Sequence, residues 1–252
     1  MKFGRRPMQI SRVDAGSSTA FLVHTDVVNW ILLQEGSDLT LIDGGYPGQA
    51  SAVEESVRAI GRRPEDIRGA VLTHAHVDHL GGLVTLSARY GFDVYCDPVE
   101  VAHARREYLQ QAGPADIVPI SYRPRVLHWL SMVLPLGALS RTGLEAEPFP
   151  SPLDLPGAPN PVAAYGHTDG HSAYLVADDA VLVCGDAMVS GHPISTVTGP
   201  QCIEHAFAHD EATARRTVES FTSLDATVLF PGHGPRHNGP VAEAARRALD
   251  IS

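Results

Sequence analysis

The chain has 252 residues, of which 44% are hydrophobic and 19% are charged, as in ordinary globular domains. Its formal net charge of −10 at pH 7 argues against a nucleic-acid binder, which would carry a basic face, so we expect no nucleic-acid partner. Residues 1–7 are basic, but no apolar run follows them, and no stretch approaches the ~18–20 apolar residues that span a bilayer. We therefore expect neither a signal peptide nor a membrane span.

Cysteine and histidine give two further indications. The three cysteines, Cys96, Cys184 and Cys202, are odd in number and lack metal-finger spacing. They are typical of buried thiols in a reducing compartment, which predicts a cytoplasmic protein. Histidine is abundant, with 13 residues, and it clusters beside aspartate and glycine. Neutral nitrogen ligands next to carboxylates indicate a metal site.

Hydrophobic patterning predicts the elements of the first half in chain order. Strands are expected at 20–25, 28–34 and 39–43, with a hairpin turn at Gly36-Ser37-Asp38 between the last two. A helix over 50–61 precedes a strand at 68–73 that ends at His74. A second helix is expected to open at Gly81-Gly82 and to run to about Tyr90, before a strand at 92–96.

The second half repeats this composition of strands finished by helices. Strands are expected at 161–165, 172–177, 180–184 and 226–230, and helices at about 209–222 and 239–249. Two such halves predict an α/β protein with a four-layer αββα sandwich. We expect one domain over 1–252, with a proline-rich insertion at about 112–158 that interrupts the two halves.

The densest motif is His74-Ala75-His76-Val77-Asp78-His79. Alternate side chains of an extended segment share a face, so His74 and His76 are expected to point the same way. A turn into a helix at Gly81-Gly82 would direct Asp78 and His79 toward a neighbouring point. Two imidazoles can then hold one metal while a carboxylate and an imidazole hold another, and zinc accepts both ligand types. The alternative is a surface cluster of polar residues.

The stretch from Thr73 to Gly82 resembles the signature of the metallo-β-lactamase superfamily, and four further motifs resemble that family in the same order. They are Leu41-Ile42-Asp43-Gly44-Gly45, Gly166-His167-Thr168-Asp169-Gly170-His171-Ser172, Val183-Cys184-Gly185-Asp186 and Phe230-Pro231-Gly232-His233-Gly234. The resemblance extends over nearly the whole chain, and it implies the metallo-β-lactamase sandwich fold.

The resemblance also implies a set of metal ligands. One metal would take His74, His76 and His167, the other would take Asp78, His79 and His233, and Asp186 would bridge them. Asp43 would support the metal loop. The ligand types favour two Zn²⁺ ions, although iron or manganese fits similar sites. Such a pair would activate a bridging hydroxide that attacks a carbonyl. The catalytic Asp78 would orient this hydroxide or relay a proton to the leaving group.

Among hydrolases of this family, the third motif is most similar to the glyoxalase-II-like branch. That likeness predicts a small acyl thioester or ester as the substrate. The arginine-containing stretch that the branch carries after its bridging aspartate is absent from Ala187 to Pro193, which argues against glutathione thioesters. An acyl-homoserine-lactone-type lactonase is the alternative, although no tyrosine follows Asp186 closely.

Other members of the family are disfavoured by the complete ligand set. Drug-hydrolysing β-lactamases lack a bridging aspartate, and persulfide dioxygenases use a single iron with fewer ligands. A binding protein without catalysis has no need of seven intact ligands.

Several residues outside the ligand set carry expectations of their own. His171 is expected to support a ligand, His192 to face the substrate and His209 to cap a helix. The apolar run from Val126 to Leu134, centred near Trp129, is expected to form a lid or pocket wall that favours an apolar acyl group. Phe149, Leu153 and Leu155 would add apolar surface there. A core helix or a homodimer contact is the alternative for this run.

Overall fold

The computed structural model describes residues 8–251; residues 1–7, over which the absence of a signal peptide is predicted, lie outside this range. Within it, the first sheet has seven strands, whose spatial order follows the chain: β1 (Gln9–Ala15), β2 (Ser18–His24), β3 (Asn29–Glu35), β4 (Asp38–Ile42), β5 (Ile67–Val71), β6 (Val94–Cys96) and β7 (Glu147–Pro148). Strands β1 to β4 pair antiparallel, and β4 to β7 pair parallel.

The second sheet has five strands in the described part of the chain: β8 (Asn160–Ala163), β9 (Ser172–Val176), β10 (Val181–Gly185), β11 (Val228–Pro231) and β12 (His237–Asn238). Their spatial order is β12-β11-β10-β9-β8, and only the β10–β11 pair is parallel. A parallel pair needs a crossover, and helical residues between β10 and β11 supply it.

The α-helices are α1 (Ala50–Ala59), α2 (Val77–Tyr90), α3 (Val101–Ala104), α4 (Pro114–Ile117), α5 (Pro124–Val133), α6 (Glu211–Ser220) and α7 (Val241–Ile251). Short 3₁₀ helices lie at Pro47–Gln49, Pro64–Asp66, Val118–Ile120, Leu134–Leu136, His205–Phe207 and Phe221–Ser223. No helix within residues 8–251 is both long enough and apolar enough to cross a bilayer.

Three apolar clusters stack the elements into layers. The cluster between the sheets joins Ile31 and Leu33 of β3 to Val183 of β10 and Phe230 of β11. The opposite face of the first sheet packs against α1 and α2, and that of the second sheet packs against α6 and α7. Burial on both faces explains why the strands read as near-continuous apolar runs. The predicted αββα sandwich is confirmed.

Helix α2 begins earlier than predicted, at Val77 instead of Gly81. His76 is its N-cap, with extended backbone (φ −68, ψ 155), so Asp78 lies in the first turn of the helix. The two glycines lie inside the helix for a packing reason. A Cβ on Gly82 would lie 2.0 Å from the carbonyl oxygen of Gly44. Glycine therefore lets α2 contact the loop that follows β4.

Strands β1, β7 and β12 are not predicted by the sequence pattern. Strand β1 pairs with β2 along its whole length, from Gln9 opposite His24 to Ala15 opposite Ser18. It lies at the edge of the sheet and alternates between exposed and half-buried residues, so polar side chains interrupt its apolar pattern. The strands β7 and β12 have two residues each, too few for a periodic signal.

The two parts of the predicted insertion, 112–158, pack in different regions of the protein. Helix α5 buries Val126, Trp129 and Val133 in a cluster with Tyr46 and Val77 beside the start of α2. The expectation that Phe149, Leu153 and Leu155 add apolar surface there is wrong, because these three side chains pack against the cluster between the sheets. Phe149, Leu153 and Leu155 lie in the segment that leads from β7 of the first sheet to β8 of the second sheet. This segment is separate from α5.

Candidate metal centre

Three imidazoles converge where β5 and β9 meet, from the segment that follows β5 and from the loop that precedes β9. His167 Nε2 lies 3.1 Å from His74 Nε2 and 3.1 Å from His76 Nδ1. All three rings are buried. Three ligands 2.0–2.1 Å from a tetrahedral zinc ion would lie about 3.3 Å apart, close to the observed spacing.

A second group comprises Asp78, His79 and His233, and Asp186 also converges with His74 and His79. His233 Nε2 lies 3.5 Å from Asp78 Oδ2 and 3.1 Å from Asp186 Oδ2. His79 Nε2 lies 3.5 Å from Asp186 Oδ1, and His167 Nε2 of the first group lies 3.6 Å from Asp186 Oδ2. Asp186 therefore stands between the two groups, as a carboxylate shared by two ions would.

Hydrogen bonds at the far side of each ring orient four of the histidines. His79 donates through Nδ1 to Asp43, His233 through Nδ1 to the Val27 carbonyl, His76 through Nε2 to the Gln110 carbonyl and His74 through Nδ1 to the Thr73 hydroxyl. Thr73 in turn donates its backbone N–H and its hydroxyl to Asp43. When these rings are neutral, the bonds keep the proton on the outer nitrogen and leave the inward nitrogen free, which is the form that binds metal.

The protonation states fit a bound cation. Burial lowers the pKa of His76 to about 4 and that of His74 well below its usual range, so both rings are neutral at pH 7. Burial also lowers the pKa of His79, but the Asp43 and Asp186 carboxylates outweigh it and raise that pKa well above its usual range. A positive charge beside His79 Nε2 is thus favoured.

Two buried atoms of this cluster, His79 Nε2 and Asp186 Oδ1, have no hydrogen-bond partner within the described residues. Buried polar atoms are nearly always satisfied, so their isolation side by side indicates a missing ligand. The nitrogen and carboxylate donors fit divalent metal ions. The side chains expected from the sequence to bind metal are brought together here; their role as ligands is part of the proposal below.

Glu100, which follows β6, joins the loops that carry the first group. Its Oε1 accepts hydrogen bonds from Ala75 N and His103 Nδ1, at 2.7 and 2.8 Å. Its Oε2 accepts from the Thr168 hydroxyl at 2.9 Å and from Gly170 N at 3.1 Å. Although burial opposes it, hydrogen bonding from His103 and Ala75 holds the pKa of Glu100 below its usual range. The ionised side chain therefore ties the His74–His76 segment to the His167 loop.

Close packing at the second group requires a glycine before His233. A Cβ on Gly232 would lie 2.1 Å from Asp186 Oδ1 and 2.9 Å from His79 Cε1. The backbone after β11 therefore runs directly against the cluster, which explains the Gly232-His233 pair physically.

A small cavity of about 70 Å³, open to solvent, borders Asp78, Asp186 and His233. Apolar side chains also line it, beside the polar side chains of Tyr46, Gln111 and His192; the apolar ones are Val77, Ala112, Trp129, Ala138, Ile203 and Phe207. Apolar walls with a few polar groups are typical of small-molecule sites. Trp129 comes from α5, so a residue of the predicted insertion lines the same cavity as the metal cluster.

Three histidines outside the ligand set have distinct places. His171 accepts a hydrogen bond through Nε2 from Asp186 N at 3.1 Å, so it supports that residue as predicted. His192 lines the cavity, and its ring centroid lies 4.8 Å from that of His233. The prediction that His209 caps α6 is wrong, because the N-cap residue is Asp210. The Asp210 carboxylate accepts a hydrogen bond from Thr213 N, and aspartate is among the preferred N-cap residues.

Sequence reasoning missed several residues that build the site, notably Glu100, Gln110, Tyr46 and Phe207. Tyr46 follows the first motif and lines the cavity with only 2% of its surface exposed. Its place directly after Asp43-Gly44-Gly45 is the one available signal. Glu100 and Phe207 reach the site by long-range packing, and no spacing in the chain marks them.

Comparisons with known proteins agree with this architecture. The sequence model of the metallo-beta-lactamase superfamily matches residues 25–233. A probable metallo-hydrolase of Bacillus subtilis, YflN, is 24% identical over 246 residues, which cover 90% of this chain and 89% of that protein. A hydroxyacylglutathione hydrolase of Shewanella oneidensis is 28% identical over 173 residues, which cover 69% of this chain and about half, 52%, of that protein.

Solved structures are similar in fold. The metallo-beta-lactamase SMB-1, in a complex with mercaptoacetic acid, has a TM-score of 0.64 at 18% identity, with 97% of this chain and 96% of that chain covered. The metallo-beta-lactamase family protein TTHA1429 of Thermus thermophilus has a TM-score of 0.60 at 20% identity, with 97% and 79% covered.

Proposed function

Because the chain belongs to the metallo-β-lactamase superfamily and is a metallo-hydrolase of that family, we propose that it uses two divalent metal ions to hydrolyse a small acyl ester or thioester. The observation that carries this proposal is the place of the Asp186 carboxylate, which lies within 3.6 Å of the inward nitrogens of His167, His79 and His233. A carboxylate between two groups of histidines suits two cations better than one.

Each ion has its own protein ligands in this proposal. One would be held by His74, His76 and His167 and the other by Asp78, His79 and His233, and the Asp186 carboxylate would be available to both. Mixed nitrogen and carboxylate donors favour Zn²⁺, while iron and manganese fit similar donors. When bound, such a pair lowers the pKa of water from 15.7 toward about 7 and polarises a carbonyl oxygen.

The chain itself orients and encloses the reaction. Asp43, Thr73 and Glu100 hold the imidazoles in place, so the ligand geometry exists before substrate arrives. Asp78 is half-buried at the cavity, where its carboxylate can orient the attacking water or receive its proton. The apolar side chains that line the cavity suit an apolar acyl group.

Elemental analysis and a substrate panel test the proposal. We expect about two metal ions per chain after expression in balanced medium, and hydrolysis of at least one ester, thioester or lactone. Asp78→Ala should abolish turnover and weaken binding of the second ion, while the fold stays mostly intact. One reproducible ion with no turnover on any substrate would contradict the proposal and favour a binding role for this fold.

Lactones belong in the panel because they are cyclic esters, which are hydrolysed by the same attack of water on a carbonyl carbon. A preference for acyl-homoserine lactones over linear esters would replace the acyl-ester substrate with a lactone and leave the two-metal reaction in place.

A further inference from the structure

Gln110, which follows α3, contacts both loops that carry the first group of histidines. Its backbone carbonyl accepts a hydrogen bond from His76 Nε2 at 2.8 Å. Its side chain contacts Asp169, two residues after His167, at two points. Gln110 Nε2 donates to the Asp169 carboxylate, and Gln110 Oε1 accepts from Asp169 N at 3.0 Å. One residue therefore joins a ligand that follows β5 of the first sheet to a loop that precedes β9 of the second sheet.

The backbone of Gln110 is itself held by a second histidine. Gln110 N donates to His103 Nε2 at 3.2 Å, so the neutral His103 ring carries its proton on Nδ1. That Nδ1 donates to Glu100 Oε1 at 2.8 Å, and the same oxygen accepts from Ala75 N at 2.7 Å. These bonds form a closed circuit that leaves the ligand loop at His76 and returns to it at Ala75.

The neighbours of Gln110 fasten the backbone of the same ligand loop. Arg106 Nη1 donates to the Ala75 carbonyl at 2.7 Å, and Gln111 Oε1 accepts from Val77 N at 3.0 Å. The two peptide groups that flank His76 are therefore both hydrogen-bonded to this segment. Because the backbone of His76 is fixed in this way, the direction of its ring depends on the bond that the ring makes to the Gln110 carbonyl.

A primary amide is the side chain that suits the contact with Asp169. Asp169 presents one donor, its backbone N–H, and one acceptor, its carboxylate. Glutamine offers one acceptor and one donor at the matching end of its side chain. The bond to the carboxylate is assisted by charge and is stronger than a bond between neutral groups. The contact holds the backbone of Gln110 in place, and with it the carbonyl that orients His76.

We propose that Gln110 is a positioning residue for the ion of the first group, and that it sets the affinity of that ion through its contact with Asp169. This inference rests on the proposed two-metal function. The imidazoles of the second group have other outer partners, the Asp43 carboxylate and the Val27 carbonyl. Loss of the Gln110 contact should therefore weaken the binding of one ion selectively.

Exchange of donor and acceptor tests the contact. Gln110→Glu places a carboxylate oxygen opposite the Asp169 carboxylate, whereas Asp169→Asn alone keeps an acceptor for the glutamine amide. In the double variant, the new amide donates and the new carboxylate accepts, so the two-point contact is restored with the roles reversed. Gln34→Glu is the matched control, because it adds the same charge at the hairpin end of β3, where the Gln34 amide donates to the Gly36 carbonyl.

The measurement is a titration of the metal-free protein with Zn²⁺ in competition with a chelator, which resolves two binding steps. Nitrogen NMR of the His76 ring identifies the step that belongs to the first group. We expect Gln110→Glu to weaken that step about 10-fold, at the lower end of the loss for an outer partner. The other step should change less than about threefold, and the double variant should recover to within about threefold of the wild type. An added carboxylate by itself attracts cations, so this loss cannot come from the charge.

Three results would overturn the inference and leave the two-metal hydrolase in place. They are an unchanged first step in Gln110→Glu, an equal weakening of both steps, and a double variant that binds as weakly as Gln110→Glu. An equal loss in Gln34→Glu would also contradict it, because that side chain has no contact with the ligand loops. A wild type that binds fewer than two ions removes the proposed function and this inference with it.

Discussion

Replacing Glu100 by glutamine tests how the protein holds the metal cluster without touching any ligand. The carboxylate accepts four hydrogen bonds, two on each oxygen. Glutamine has nearly the same shape but only one acceptor oxygen. Whichever way the amide turns, two of the four donors then face an NH₂ group.

The size of the effect follows from these contacts. A hydrogen bond to a charged group contributes about 1.5–3 kcal/mol, so two lost bonds would cost about 3–6 kcal/mol. The Thr168 hydroxyl can rotate to accept from the new amide, which reduces the expected loss to about 2–4 kcal/mol. Domains of ordinary stability have about 5–15 kcal/mol, so the variant should remain folded.

Metal affinity should fall as well, because Ala75 N lies between His74 and His76 and because Gly170 N lies in the loop of His167. Loss of an outer hydrogen-bond partner typically weakens metal binding about 10- to 100-fold. Urea denaturation of the metal-free protein gives the free energy of unfolding, and competition with a chelator gives the metal affinity.

Glu54→Gln is the matched control. Glu54 is also buried and accepts from Arg58, Arg89 and Tyr90, but it lies away from the cluster on α1. The Glu54→Gln substitution should lower the free energy of unfolding and leave metal affinity unchanged. If Glu100→Gln weakens metal binding no more than Glu54→Gln does, the bridge from Glu100 to the metal loops has no functional role.

Three further outcomes are expected. His76→Ala should abolish turnover and leave a cooperative urea transition, because this side chain belongs to none of the apolar clusters; loss of cooperativity would contradict this. Trp129→Ala should raise KM for long acyl chains more than for acetyl, since the ring lines the apolar wall; equal shifts would exclude that role. Gly82→Ala should destabilise by about 1–3 kcal/mol or more, because its Cβ would meet the Gly44 carbonyl, whereas Gly113→Ala, which has space, should be nearly neutral in the same urea assay.

The parts of the site that lie close together in the chain were predictable from the sequence. Alternation along an extended segment places His74 and His76 on one face, and the structure brings their inward nitrogens to His167. Apolar runs with helical or strand periods predicted the four layers, because burial on both faces of a sheet leaves a strong local pattern. Asp43 was predictable for the same reason, since it directly follows β4.

Local patterns also misled where a residue had a packing role. Gly81-Gly82 resembles a turn before a helix, yet both residues lie inside α2, where they admit the Gly44 loop. Glycine is favoured by turns and by close backbone contact alike, and sequence alone does not separate the two. His209 is a second example: its place before α6 predicted a capping role, but the neighbouring Asp210 caps the helix.

By itself, then, the sequence determined the family, the layered fold and the residues expected to hold metal, because each of these depends on short motifs or on periodicity along one element. Only the tertiary structure decided that Glu100 ties the metal loops together and that Tyr46 and Trp129 belong to one buried cluster beside the cavity. Those contacts join residues tens of positions apart, on elements whose docking depends on the whole apolar core. No local period records such contacts, so they became visible only once the chain was folded.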